Sequence, residues 1–328
     1  EFASASQPLL NHRSSFGNDP LTTAYVSLEE IYSEFLDDNS EAEAIKLFFE
    51  HAINNWSESL TFALLMGDVQ FVPTMYGGSG NNTYAVDDLL AAPDSLDIPA
   101  VALGRYPARH VADVEAFVEK IIEYESNPEL GIWRNRITLA ADDVARPVAN
   151  DTDHIEKSDS LAINYIPPFI EVQKIYLTEY PEVSDASAYG VVKPDATEAL
   201  FDILNNGTAI INYIGHGSSS SWAQESLIQK NRGDIQFINT GMKLPIWIAG
   251  TCYFGRYDNV ESMSESLLFE TNGAISIIGA TRSISKSINK KFLEYFYEDL
   301  KVYMEESDGI LRLGDLFIKS KIDLFNNH

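Results

Sequence analysis

A single cysteine, Cys252, closes an apolar run, Leu244-Pro-Ile-Trp-Ile-Ala-Gly-Thr-Cys252. Thirty-six positions earlier, a second apolar run, Ala209-Ile-Ile-Asn-Tyr-Ile-Gly-His216, closes in a histidine that a further glycine follows. Thiols react as thiolates, and an imidazole is the usual base that makes one. A lone strand-end cysteine is more often inert packing, because free cysteine behaves as a small buried hydrophobe. The Gly-His-Gly turn on a second strand shifts the reading to a cysteine nucleophile, Cys252, with His216 as its base and later as the acid for the leaving amine. Each run is the length of a strand buried on both faces, the signature of a parallel sheet. Ligands bind beyond the carboxyl ends of such strands, where both residues fall. The oxyanion of an acyl transfer needs fixed N–H donors, and the backbone of Gly217 and of Cys252 is the candidate pair. The remaining histidines, His12, His51, His110, His154 and His328, have no comparable setting.

Elements that could position this pair follow from local patterns. Ser27-Leu-Glu-Glu30, Ser40-Glu-Ala-Glu43 and Ser262-Met-Ser-Glu265 are capping boxes that open helices. Strands are expected at residues 60–66, 98–103, 136–141, 172–177 and 273–279, with 74–97 a polar loop. Helices are expected over 111–125, 155–165, 194–206, 288–303 and 313–324. Asn127-Pro-Glu-Leu-Gly131 breaks the pattern and sets the sub-domain boundary. The expected class is α/β: two adjacent βα sub-domains, 1–130 and 131–328, with mostly parallel sheets flanked by helices. The second carries His216 and Cys252.

Composition narrows the function. The 328 residues carry a net charge of −26, which opposes nucleic acid and anionic lipid as partners and favours basic substrates, or serves solubility alone. No stretch approaches the roughly 18 apolar residues of a membrane span. The start, Glu1-Phe-Ala-Ser, lacks an initiator Met and a signal pattern and reads as a processed product or an expression product. The four serines Ser218 to Ser221 lack the Gly-x-Ser-x-Gly elbow of a serine hydrolase.

Longer motifs add a resemblance. Asn212-Tyr-Ile-Gly-His-Gly-Ser-Ser-Ser-Ser-Trp222 resembles the histidine segment of the gingipain family within the caspase-like cysteine peptidases. Thr251-Cys-Tyr-Phe-Gly-Arg-Tyr-Asp258 and Gly273-Ala-Ile-Ser-Ile-Ile-Gly-Ala-Thr-Arg282 are similar to the branch of that family acting as the type IX secretion system sortase. Glu30-Ile-Tyr-Ser-Glu-Phe35, Leu64-Leu-Met-Gly-Asp68 and Gly104-Arg105 agree less specifically, and the resemblance spans roughly residues 25 to 320. Such chains normally begin with a strand that precedes the first helix and continue into a final strand and an immunoglobulin-like domain; neither is expected here.

The resemblance implies a gingipain-like fold and peptide-bond hydrolysis through a thioester. An alternative is transpeptidation, in which an amine acceptor joins cargo to a surface. A further alternative is a silent caspase-like binding module. It implies protein or peptide substrates, secretion-system components as partners, and a secreted or cell-surface location. The acid that orients the histidine maps to Asp142, with Asp143 as the alternative and a helix or turn cap as the plain reading. The pocket aspartate of arginine-specific members maps to Asp151, with Asp153 as the alternative, against an ordinary N-cap role. Trp222 would cover a bound Arg or Lys, or else pack in the core. No cofactor is required; a structural Ca²⁺ on Asp87 and Asp88, with Asp94 and Asp97 nearby, stands against solvated loop acids.

Overall fold

The computed structural model describes residues 2–93, 98–143, 153–186, 190–259, 261–306 and 311–327. Two compact units emerge, Glu1–Ile122 with Val302–His328, and Glu123–Lys301.

The first unit opens with α1 (Ala3–Arg13), α2 (Leu28–Phe35) and α3 (Glu41–Asn55), followed by β1 (Phe62–Met66), the β2–β3 hairpin (Met75–Gly77, Tyr84–Val86), β4 (Ala102–Tyr106) and the start of α4 (Val111–Ser126). The capping boxes of α2 and α3 are both reciprocal: Ser27 N–H donates to Glu30 Oε2 at 2.8 Å, and Ser40 N–H to Glu43 Oε2 at 2.8 Å. Helix α1 was not foreseen, because no capping side chain or apolar stripe announces it and Pro8 lies inside it. β4 starts at Ala102 rather than at 98, in parallel register with β1 (Phe62 opposite Ala102). Ile45, Phe49, Leu90 and Val101 fill the core. The C-terminal helix Leu313–Asn326 groups with this unit and not with the second one, against the expected boundary at residue 130. A Cβ on Gly314 would stand 2.9 Å from Phe62 Cδ1, so the helix seats closely on this small sheet.

The second unit is built on one five-stranded parallel sheet. Its elements are β5 (Arg136–Ala141), α5 (His154–Ser160), β6 (Glu171–Tyr176), the β7–β8 hairpin (Val183–Asp185, Gly190–Val192), α6 (Pro194–Asn206) and β9 (Ile210–Ile214). Next come the short pair β10 (Ser221–Trp222) and β11 (Ile228–Gln229), then β12 (Ile246–Gly250), α7 (Met263–Phe269), β13 (Ser276–Gly279) and α8 (Lys286–Glu306). The strand order is β13-β12-β9-β5-β6. β9 is buried at every position, as its uninterrupted apolar run requires of a central parallel strand. Alternate residues serve opposite faces. Ile211 and Tyr213 join Trp247, Leu200 and Leu204 in the main core, while Asn212 accepts at Oδ1 from Tyr297 Oη of α8 at 3.3 Å. The expected helix over 155–165 is α5 continued by one π-helical turn, Leu161–Tyr165.

Candidate active site

Three neighbouring strands end together. Ala141 of β5 lies opposite Ile214 of β9, which lies opposite Gly250 of β12. Asp142 follows the first by one residue, and His216 and Cys252 follow the other two by two residues each. All belong to the second unit.

Glycines let these loops close on one another. A Cβ on Gly215 would stand 2.4 Å from Asp142 Cβ, and one on Gly217 2.6 Å from Thr251 Oγ1. The Gly-His-Gly turn is therefore pressed against Asp142 on one side and against the residue before Cys252 on the other. Non-glycine residues with positive φ, which cost about 1–2 kcal/mol each, gather here: Ala223 (62°), Ser226 (54°) and Tyr253 (61°) all follow β9 or β12. Tyr253 N–H donates to Arg282 O at 3.1 Å and Gly255 N–H to Ala280 O at 3.0 Å, which ties the cysteine loop to the end of β13. Arg282 in turn grips Asp258 with two bonds, of 2.8 and 2.6 Å. Around Gly217 the pairing bonds come from Ser218 N–H to Ser221 O and from Ala223 N–H to His216 O, each 2.9 Å, and not from Gly217 itself. Cys252 is half-buried.

The two adjacent carboxylates separate by role. Asp142 Oδ2 accepts from the His216 backbone N–H at 2.9 Å, with the Tyr213 hydroxyl 3.2 Å away. Burial pushes the Asp142 carboxyl up from its ordinary range, against the pull of that N–H and of two nearby imidazoles. Asp143 instead receives the buried Lys193 ammonium at 2.6 Å. Glu225 completes a group whose ligand-capable oxygens lie within 4.8 Å of those of Asp142 and Asp143. Its carboxyl is pushed up to about 7 by burial and by those two neighbours. Lys193 supplies the countercharge that an ion would bring.

Asp142→Asn is expected to lower kcat about a hundredfold or more, because the charge beside the histidine is lost while its shape remains. Asp143→Asn should leave kcat within about threefold yet reduce stability by about 3 kcal/mol, since it strands a buried ammonium. Steady-state kinetics and thermal melts of both variants check this, and a larger kcat loss in Asp143→Asn would reverse the two roles.

Other sequence assignments change. Trp222 is fully buried in the core, stacked on Tyr213 at 4.6 Å and 7°, with Trp247 and Phe254 against it. Its faces are occupied by aromatic neighbours, so it does not cover a substrate side chain. Asp153 Oδ2 pairs with Lys157 Nζ at 2.6 Å, with Lys286 3.9 Å from Oδ1, so the chain's own lysines meet its charge. Burial pulls that carboxyl up, and the Lys157 bond outweighs this and holds it below the ordinary range. Asp151 lies outside the described residues, as do Asp94 and Asp97. Asp87 is held by both arms of Arg105, each at 2.7 Å, and Asp88 by Lys321, so a cation there would have to displace both. The sequence reading also passed over His154. Its buried ring packs nearly perpendicular to that of His216, with centroids 5.4 Å apart and planes at 86°. Nothing in the 61 residues between them signals this.

A parallel α/β sheet that delivers a histidine and a thiol on adjacent strand ends defines the caspase-like class of cysteine-peptidase folds. The model of peptidase family C25 matches residues 1–328, and the chain belongs to that family. It is 22% identical over 248 residues to Gingipain R2 of Porphyromonas gingivalis (strain ATCC BAA-308 / W83), covering 73% of this chain and 31% of that protein. Lys-gingipain of P. gingivalis (strain ATCC 33277) is 23% identical over 266 residues, 77% of this chain and 14% of its own. The chain thus spans a third or less of these curated relatives. Among solved structures, the Arg-specific cysteine proteinase gingipain R (RgpB) superposes with a TM-score of 0.70 at 18% identity, over 90% of this chain and 65% of that one. The complex of P. gingivalis RgpB pro- and mature domains gives 0.73 at 19%, over 98% and 70%. These likenesses establish a gingipain-like fold. No helix among the described residues is long and apolar enough to cross a membrane.

Proposed function

We propose that this chain is the catalytic part of a cysteine endopeptidase working through a Cys252–His216 dyad. One observation carries the reading: β9 and β12 are adjacent, parallel and in register, and each ends two residues before its reactive side chain. His216 takes the proton from Cys252 Sγ, and the thiolate adds to the scissile carbonyl carbon, moving the π electrons onto oxygen. The N–H groups of Gly217 and Cys252 receive that oxyanion. The tetrahedral centre collapses, the C–N bond breaks, and His216 returns its proton to the leaving amine. Water then attacks the thioester, with His216 taking its proton, and the thiolate departs. Asp142 anchors the His216 main chain and offsets the positive charge that the ring gains.

Two supports favour basic residues before the scissile bond: one structural neighbour is named Arg-specific, and the chain carries 49 acids against 23 Lys and Arg. The alternative, Asp153, is paired with Lys157, and the pocket carboxylate is proposed to be Asp151, on the family position it matches. An apolar side chain would leave that carboxylate unmatched, so a peptide library should favour Arg or Lys over Ala or Leu by about a hundredfold. Asp151→Asn should erase most of that preference. Wild-type selection of small or apolar residues would refute the pocket. For the dyad, mass mapping after a chloromethyl ketone probe should place one adduct, on Cys252; an unmodified Cys252 sinks the reading.

A further inference from the structure

Contacts to His216 act on different parts of it: Ala223 N–H at 2.9 Å and Tyr213 Oη at 2.7 Å donate to its main-chain carbonyl. Asp142 takes its backbone N–H at 2.9 Å, which fixes the main chain. A bond to the main chain leaves the side-chain torsions free, so the plane of the imidazole has to be set by what touches the ring. One such contact comes from His154, with 5.4 Å between centroids and 86° between planes. Edge-to-face packing of this kind is directional, since the positive edge of one ring seeks the negative face of the other.

His154 is well placed to be rigid. It is the first residue of α5, 5% exposed, on a helix seated against β5 and β9. The charged and titratable groups around it are Asp142, His216, Asp153 and Lys157. Burial is the largest influence on its ring and favours the neutral form over the pull of Asp142. A neutral neighbour can rest against His216 when that ring becomes imidazolium; a second cation could not do so without repulsion.

We propose that His154 is a positioning residue for His216: its ring, packed edge to face, fixes the plane in which that imidazole meets Cys252. This rests on the dyad reading above and adds to its two strand ends a third element, the helix α5. The role needs a ring of the right size and not a transferable proton, which separates it from a second acid or base. Reactive geometry tolerates little error, and displacements near 1 Å cost about a hundredfold in rate.

The test compares His154→Ala, His154→Leu and His154→Phe with wild type, using turnover of the best library peptide, alkylation of Cys252 by iodoacetamide, and thermal melts. Ala and Leu should lose about tenfold to a hundredfold in kcat with KM within about twofold, whereas Phe should keep at least about a third of wild-type kcat. The Leu–Phe comparison decides if Ala does not fold, since both fill the space and only Phe presents a ring. Leu as active as Phe, or Phe as impaired as Leu, overturns the proposal: the first reduces His154 to filling, the second makes its nitrogens essential. A wild type whose Cys252 neither alkylates nor turns over peptide sinks the peptidase reading itself. An active wild type beside an equally active His154→Leu sinks this inference alone.

Discussion

Cys252→Ala is expected to reduce turnover by on the order of a million-fold while leaving the fold intact. The side chain supplies the only thiol of the chain, and without it the acyl-enzyme cannot form. What survives is catalysis by binding and by the oxyanion donors, a small remainder in other covalent peptidases. Stability should hold because the residue is half-buried and the change removes one sulfur; the expected loss is within about 1 kcal/mol. Peptide turnover and a thermal melt on the same preparation check both halves. A Cys252→Ala protein that still cleaves peptides at an appreciable rate would end the nucleophile assignment.

His216→Ala should remove nearly as much, about a thousandfold to a millionfold in kcat, through a different defect. The nucleophile stays but loses the group that takes its proton and returns it to the leaving amine. Alkylation of Cys252 should slow, because the group that takes its proton is gone. Added imidazole should restore part of the turnover if the vacated space admits it. An alkylation profile identical in wild type and variant would contradict the pairing. Read together, the two variants separate loss of the nucleophile from loss of its base, because only Cys252→Ala also abolishes labelling.

The two central strands that carry the candidate dyad were legible from the sequence, because a parallel strand buried on both faces must be an unbroken apolar run and few other elements look like it. The run ending at His216 became β9, and the run ending at Cys252 became β12, with the two strands paired directly. The three capping boxes were legible for a similar reason. Their partners stand three residues apart, so Ser262 and Glu265 find each other whatever the rest of the chain does. Helix α1 was hidden because it lacks both signals.

Tertiary structure alone decided how side chains that are distant in sequence compete for partners. Asp142 and Asp143 are the same residue type side by side; Lys193, fifty positions on, claims one and leaves the other beside His216. Trp222 has the chemistry to cover a cation, but Tyr213 and Trp247 enclose it, and a buried face cannot serve a ligand. Asp87 has the oxygens for Ca²⁺, but Arg105 reaches it first. His154 reads as an unremarkable helix start until β5, β9 and α5 pack and bring its ring to His216. Local order follows from spacing within a few residues, which the sequence states directly. Whether a polar side chain becomes a catalyst, a salt-bridge partner or core depends on which long-range neighbour arrives, and only the folded chain brings those neighbours together.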